Sequence, residues 1–133
     1  MAVVFDACAL IAFLRGEPGS EVVEALLVER RGQCHAHAIN LCEVYYDFLR
    51  ASGEATAQQA VADLLTAGVL PDETLSPALW QAAGRWKVRH RVSLADAFAL
   101  ALAAMLDAEL VTSDHHELDP IAASNEARVR FIR

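Results

Sequence analysis

Apolar positions along the chain fall into short blocks of two kinds, continuous runs and runs at helical spacing. "AVVF" is a β-branched and aromatic run ending at Asp6, which predicts a buried strand. "CALIAFLRG" predicts a short helix stopped by Gly16. "SEVVEALLVERRG" predicts a second helix, opening on Ser20 and closing on Gly32, with positions 22, 23, 26 and 27 on one face. "QCHAHAI" is short and mixed, and a strand fits it best. "NLCEVYYDFLRASG" predicts a helix from an Asn40 cap to Gly53, and "TAQQAVADLLTAG" one opened by a Thr56–Gln59 capping box and stopped at Gly68. Val69–Leu70, before Pro71, fits a stub of strand. Ser76–Pro77 is a cap followed by proline at the first helical position, leading into "ALWQAAGRWKVRHR". "SLADAFALALAAML" predicts an almost wholly apolar helix from a Ser93 cap, and "AELVTS" and "ARVRFIR" are two further strands. Strands alternating with helices predict a parallel sheet covered on both faces. The expected fold is therefore α/β, a three-layer α/β/α sandwich with a mostly parallel sheet. No repeat, linker or low-complexity stretch divides residues 1–133, so one domain is expected.

Composition narrows the class. With 55% hydrophobic and 22% charged residues the chain is globular, not disordered. A net charge of −7 argues against binding nucleic acid by bulk electrostatics. It does not exclude a nuclease, whose bound cations reverse the local sign. Three cysteines without C-x-x-C spacing suit a reducing compartment. The start lacks a basic signal-peptide region, and no apolar run approaches the ~18 residues of a membrane span. A cytoplasmic location away from membranes is expected.

Four acids map to one edge of such a sheet. Asp6 and Asp114 end strands, and Glu43 and Asp96 each lie three residues after a helix cap, Asn40 and Ser93. Helix starts and strand C-termini share the edge where open α/β sheets bind ligands. Singly, each acid has an ordinary explanation as a cap or turn residue. Together they predict a rim of carboxylates whose repulsion is costly unless a cation sits among them. A hard divalent cation such as Mg2+ takes oxygen ligands, and activates water for phosphodiester hydrolysis.

Asp6 in "VVFDACAL", Glu43 in "INLCEVYY", Asp96 in "SLADAFALALA" and Asp114 in "LVTSD" resemble the acidic quartet of PIN-domain ribonucleases, and most nearly the VapC toxins of bacterial toxin–antitoxin pairs. The order of acids, the local contexts and the chain length agree over nearly the whole sequence. The resemblance implies a PIN-like fold and an endoribonuclease dependent on Mg2+ or Mn2+. It also implies a homodimer and a small cognate antitoxin, VapB-like, as inhibitor. Asp6, Glu43 and Asp96 would organise the metal, with Asp114 the more variable fourth acid and Thr112 the hydroxyl often found two residues before it. Cys8 stands where the family usually has serine, and a thiol is a poorer partner for metal-bound water. That departure keeps open a PIN-like binding module with weak or lost catalysis.

Other constellations fit less well. "RWKVRHR" carries four positive charges, leaving −11 for the rest of the chain. Arg85, Lys87, Arg89 and Arg91 are candidate RNA-backbone contacts, with Trp86 as a stacking face, against the alternative of a solvated helix face. His35, His37, His115 and His116 invite zinc, but strand alternation sets the first two on one face and the last two follow a better-explained acid. The tripeptide Asp114–His116 echoes the DHH phosphoesterases only weakly. A receiver-type phosphoacceptor domain needs a lysine at a late strand end, whereas the only lysine, Lys87, lies in a helical pattern.

Overall fold

The computed structural model describes residues Met1–Arg133. The chain opens with strand β1 (Val3–Phe5), then helices α1 (Ala7–Arg15) and α2 (Ser20–Glu29), strand β2 (Cys34–His37), and helices α3 (Ala38–Ser52) and α4 (Glu54–Ala67). Strand β3 (Leu70–Asp72) leads to α5 (Pro77–Arg89) and α6 (Leu94–Met105), then β4 (Glu109–Thr112), α7 (His115–Ser124) and β5 (Val129–Phe131). All strand pairs are parallel, in the order β3-β2-β1-β4-β5. The chain thus starts at the sheet's centre, works outward through β2 and β3, and returns to the other side of β1. The order reverses between β1 and β4, which is where α/β sheets form their ligand crevice.

Period-two alternation divides the core into two layers. Val3 and Phe5 of β1 face one side with Val111, where Leu10, Val23, Val44 and Leu64 of α1 to α4 cover them. Val4 and Leu110 face the other, under Leu79, Trp86, Leu100 and Leu118 of α5, α6 and α7. The architecture is the expected α/β/α sandwich, and the sheet is wholly parallel. Helix α6 answers for its composition: every residue from Ala95 to Ala103 is buried.

The structure corrects several local expectations. Helix α3 begins two residues before Asn40, with His37 as its cap; the His37 Nδ1 accepts from the Ile39 N–H at 3.1 Å. Asn40 is therefore inside the first turn. The Thr56–Gln59 box does not form, because α4 starts at Glu54 after Gly53. Helix α2 opens on Ser20 as expected but ends at Glu29, short of Gly32; Gly19 holds its cap position, where a φ of +94° and an Ile132 carbonyl 2.6 Å from where a Cβ would stand both demand glycine. Pro71 lies within β3 and is tolerated because β3 is an edge strand. Helix α7 was not expected from the sequence at all.

Candidate active site

Three capped helix starts meet at the C-terminal edge of the sheet. Asp6 leaves β1 and caps α1, its Oδ1 accepting from the Ala9 N–H at 2.9 Å. Its Oδ2 accepts from the Thr112 hydroxyl, and Thr112 Oγ1 in turn accepts from the Asp114 N–H at 2.9 Å. This chain of bonds locks the end of β1 to the end of β4 across the switch point. Asp114 caps α7 by accepting from the Glu117 N–H at 3.2 Å. Ser93 caps α6, its hydroxyl accepting from the Asp96 N–H at 3.1 Å, so the cap is made to Asp96's backbone and does not use its carboxylate.

One carboxylate oxygen from each of Asp96, Asp114 and Glu117 lies within 4.8 Å of the other two. Asp6 lies beneath the rim, fully buried. Glu43, half-buried on α3, stands beside this group rather than within it. Its carboxyl is raised by burial and then by Glu117, with Asp47 and Asp114 adding. Burial pushes Asp6 up from 3.8 to about 7, against the hydrogen bonds from Thr112 and Ala9 that pull it down. Asp96, 6% exposed, is pushed up to about 9 by burial first, then by a hydrogen bond shared with Glu117 and the charges of Asp6, Glu117 and Asp114. Without a cation, this edge holds protons that free carboxylates would have lost at neutral pH. The donors are all hard oxygens, which suits Mg2+ or Mn2+ rather than a soft metal.

Cys8, half-buried in the first turn of α1, has its thiol held well above the usual range by burial and by Asp6, Asp96, Asp114 and Glu43. It is a neutral neighbour of the acids. Asn40 is fully buried; its Oδ1 accepts from the Ala7 N–H at 3.2 Å and its Nδ2 donates to the Ala95 carbonyl at 3.1 Å. It thereby ties together α1, α3 and α6, which follow or carry Asp6, Glu43 and Asp96.

A family model for the PIN domain matches residues 3–122. The chain belongs to the PIN-domain family. No protein of curated function matches the sequence directly. Several solved structures share its fold. A toxin–antitoxin complex from Klebsiella pneumoniae aligns over 99% of this chain and 98% of its own, with 18% identity and a TM-score of 0.69. VapC20 of Mycobacterium tuberculosis, described as a sarcin–ricin loop cleaving toxin, aligns over 95% and 96%, with 18% identity and a TM-score of 0.72. DNA-bound VapBC from Salmonella typhimurium aligns over 100% and 99%, with 14% identity and a TM-score of 0.74.

Glu117 joins Asp96 and Asp114 at the rim and was not expected there from the sequence. Its signal was present: Asp114-x-x-Glu117 is a capping pattern, followed by Leu118 and Ile121 at helical spacing. Pro120 inside the helix and the doubled histidine masked it. The histidines have structural work: both ring nitrogens of His37 and of His115 are engaged, His37 with Ile39 and Thr74, His115 with Asp119 and Arg133. In the basic run, Trp86 does not offer a stacking face. It is buried in the core, and the Arg89 guanidinium covers its ring at 5.0 Å. Lys87 donates to the Val92 carbonyl at 2.8 Å, at the end of α5 rather than of a strand. Arg85 lines a depression along α5 with Gln81, Gly84 and Val88. Arg91 is exposed and turned toward α7, where it shares a groove with Glu117. No helix is long and apolar enough to cross a membrane.

Proposed function

We propose that this PIN-domain protein is a metal-dependent endoribonuclease, acting in the cytoplasm as the VapC-type toxin of a toxin–antitoxin pair. The observation that carries the reading is the convergence of Asp96, Asp114 and Glu117 on the rim above buried Asp6. These three carboxylates, with Asp6 and Glu43 supporting them, would hold Mg2+ or Mn2+. When bound, such an ion supplies an activated water and steadies the charge that grows on phosphorus. The chain's own part is placement. Thr112 fixes Asp6 and Asp114 relative to each other, Ser93 sets the start of α6, and Asn40 holds three helices in register. Of the basic residues after Arg85, the exposed Arg91 on the segment leading into α6 would neutralise an RNA phosphate.

The test is cleavage of labelled RNA by the purified chain, with chelator and with Mn2+ or Mg2+. Cleavage is expected only with metal, and Asp114→Asn or Asp96→Asn should lower it by orders of magnitude. Cleavage in chelator, or none with either metal, would overturn the assignment. Antitoxin control follows from the same chemistry. An arginine from a small VapB-like partner can bridge two of these carboxylates and exclude the metal. A homodimer completes the proposed assembly. The second reading, a PIN-fold module that binds without cutting, draws on neutral Cys8 beside the acids. Growth arrest on expression that disappears with Asp6→Asn discriminates against it.

A further inference from the structure

Beside the acidic rim runs a groove of about 380 Å³ without a single hydrophobic side chain. Arg89, His90 and Arg91 form one wall, from the end of α5 and the turn after it; His116, Glu117 and Pro120 of α7 form the other. Glu117 belongs to the rim and to the groove alike, so the groove opens directly onto the metal-holding edge. Its cations are not equivalent. Arg89 is held between the Trp86 ring and Glu126, 3.5 Å away, and His90 meets Glu126 at 3.0 Å. Arg91 and His116 are exposed and take part in none of the ion pairs or hydrogen bonds of the fold. Two uncommitted cationic or donor side chains thus face each other next to an acidic edge, in a protein whose net charge is −7.

We propose that this groove seats the RNA backbone immediately beside the cut, with Arg91 and His116 as the pair that grips a phosphate and Arg89 as the fixed wall behind them. The inference rests on the nuclease reading and deepens it, by giving the strand a path. A single-stranded phosphodiester fits better than an acidic peptide for two reasons. The groove holds donors on both walls and no hydrophobic side chain to pack against, whereas protein interfaces bury an apolar centre. Its end at Glu117 also delivers the adjoining phosphate to the metal-holding acids. Arg85 does not line the groove; it lies in the depression on the far side of Arg89, and its influence on RNA is that of a neighbouring charge.

The experiment compares Arg91→Ala, His116→Gln and Arg85→Ala with wild type and with Arg31→Ala, which removes an exposed charge from the opposite edge of the sheet. Single-turnover cleavage with Mn2+ gives the half-saturating RNA concentration and the plateau rate. Fluorescence anisotropy of a short single-stranded RNA in chelator, across a salt series, gives binding without chemistry. Arg91→Ala and His116→Gln are expected to raise the half-saturating concentration three- to tenfold, with plateau rates within twofold of wild type. The salt slope for Arg91→Ala should fall by about 0.7, the value for one lost contact to a single strand. Equal effects from Arg85→Ala or Arg31→Ala would mean net charge is at work and not the groove. So would unchanged binding in Arg91→Ala and His116→Gln, and a falling plateau at unchanged half-saturation would place the pair in the chemistry instead. Binding of an acidic peptide that competes with RNA and depends on Arg91 more strongly than RNA does would reassign the groove to a protein partner. If wild type cuts RNA and the variants match it, the groove falls and the nuclease stands. If wild type fails to cut but binding still depends on Arg91, the nuclease falls and the groove stands.

Discussion

Replacing Asp96 with asparagine tests whether the rim is built for a cation. The carboxyl is buried, and its pKa rises from 3.8 to about 9. Between those two values the folded chain holds a proton that the unfolded chain has released. Stability of the metal-free protein therefore falls as pH rises, by up to about 1.4 kcal/mol per pH unit for one such group, and levels off above the folded value. Asp6 acts in the same sense over a narrower window, from 3.8 to about 7. At pH 7 the Asp96 contribution has a ceiling of about 4 kcal/mol of destabilisation. Asparagine removes it while keeping the shape, and its amide can donate to Glu117. The Ser93 cap is unaffected, since it is made to the backbone N–H of residue 96. Allowing for burial of a neutral amide, the expected gain is about 1–2 kcal/mol, or a melting temperature higher by about 3–6 °C. The assay is thermal melting in chelator from pH 5 to 9, then with Mn2+ at pH 7. Wild type should lose stability with rising pH and the variant should lose less. Metal at about a hundred times its Kd should raise wild type by ~2.7 kcal/mol and the variant far less. A variant that melts lower than wild type in chelator, keeps the same pH slope and responds equally to metal would refute the reasoning.

Thr112→Val removes the hydroxyl that donates to Asp6 and accepts from the Asp114 N–H, at nearly constant volume. It should cost about 1–3 kcal/mol in urea denaturation and lower cleavage more than it lowers RNA binding. Asn40→Ala leaves the Ala7 N–H without its acceptor and opens a small void among three helices; a loss of about 2–4 kcal/mol by denaturation is expected, with weaker metal stabilisation in the folded fraction. Gly19→Ala places a Cβ against the Ile132 carbonyl at a φ of +94°. It should lower the melting temperature, by about 2 kcal/mol or more in stability, without changing the metal response of the protein that remains folded.

Much of this protein was legible in its sequence because local physics and the final fold agree. Strand β1, the end of α1 at Gly16, the Ser93 cap and the burial of α6 from Ala95 to Ala103 each follow from nearest-neighbour chemistry: β-branched runs, an αL glycine, a hydroxyl beside free amides. The parallel order of layers follows from their alternation, which also puts Asp6, Asp96 and Asp114 at one sheet edge.

Where tertiary contacts outbid local signals, the sequence misled. Asn40 looked like a cap, but a buried amide that bonds α1 and α6 at once is held by partners 33 and 55 residues away, and His37 takes the cap instead. Trp86 looked like an open stacking face, yet packing against α6 and the cover of Arg89 close it. Glu117 was hidden in a short polar segment whose helix depends on Leu118 and Ile121 reaching the core. Neighbours along the chain are enough to set the alternation of strands and helices and the kinds of side chain at their ends. Which three carboxylates come within a cation's reach, with Glu43 aside and Glu117 included, is a matter of packing. That choice rests on distances of a few ångströms between residues far apart in sequence, which strand order and packing set and local pattern does not encode.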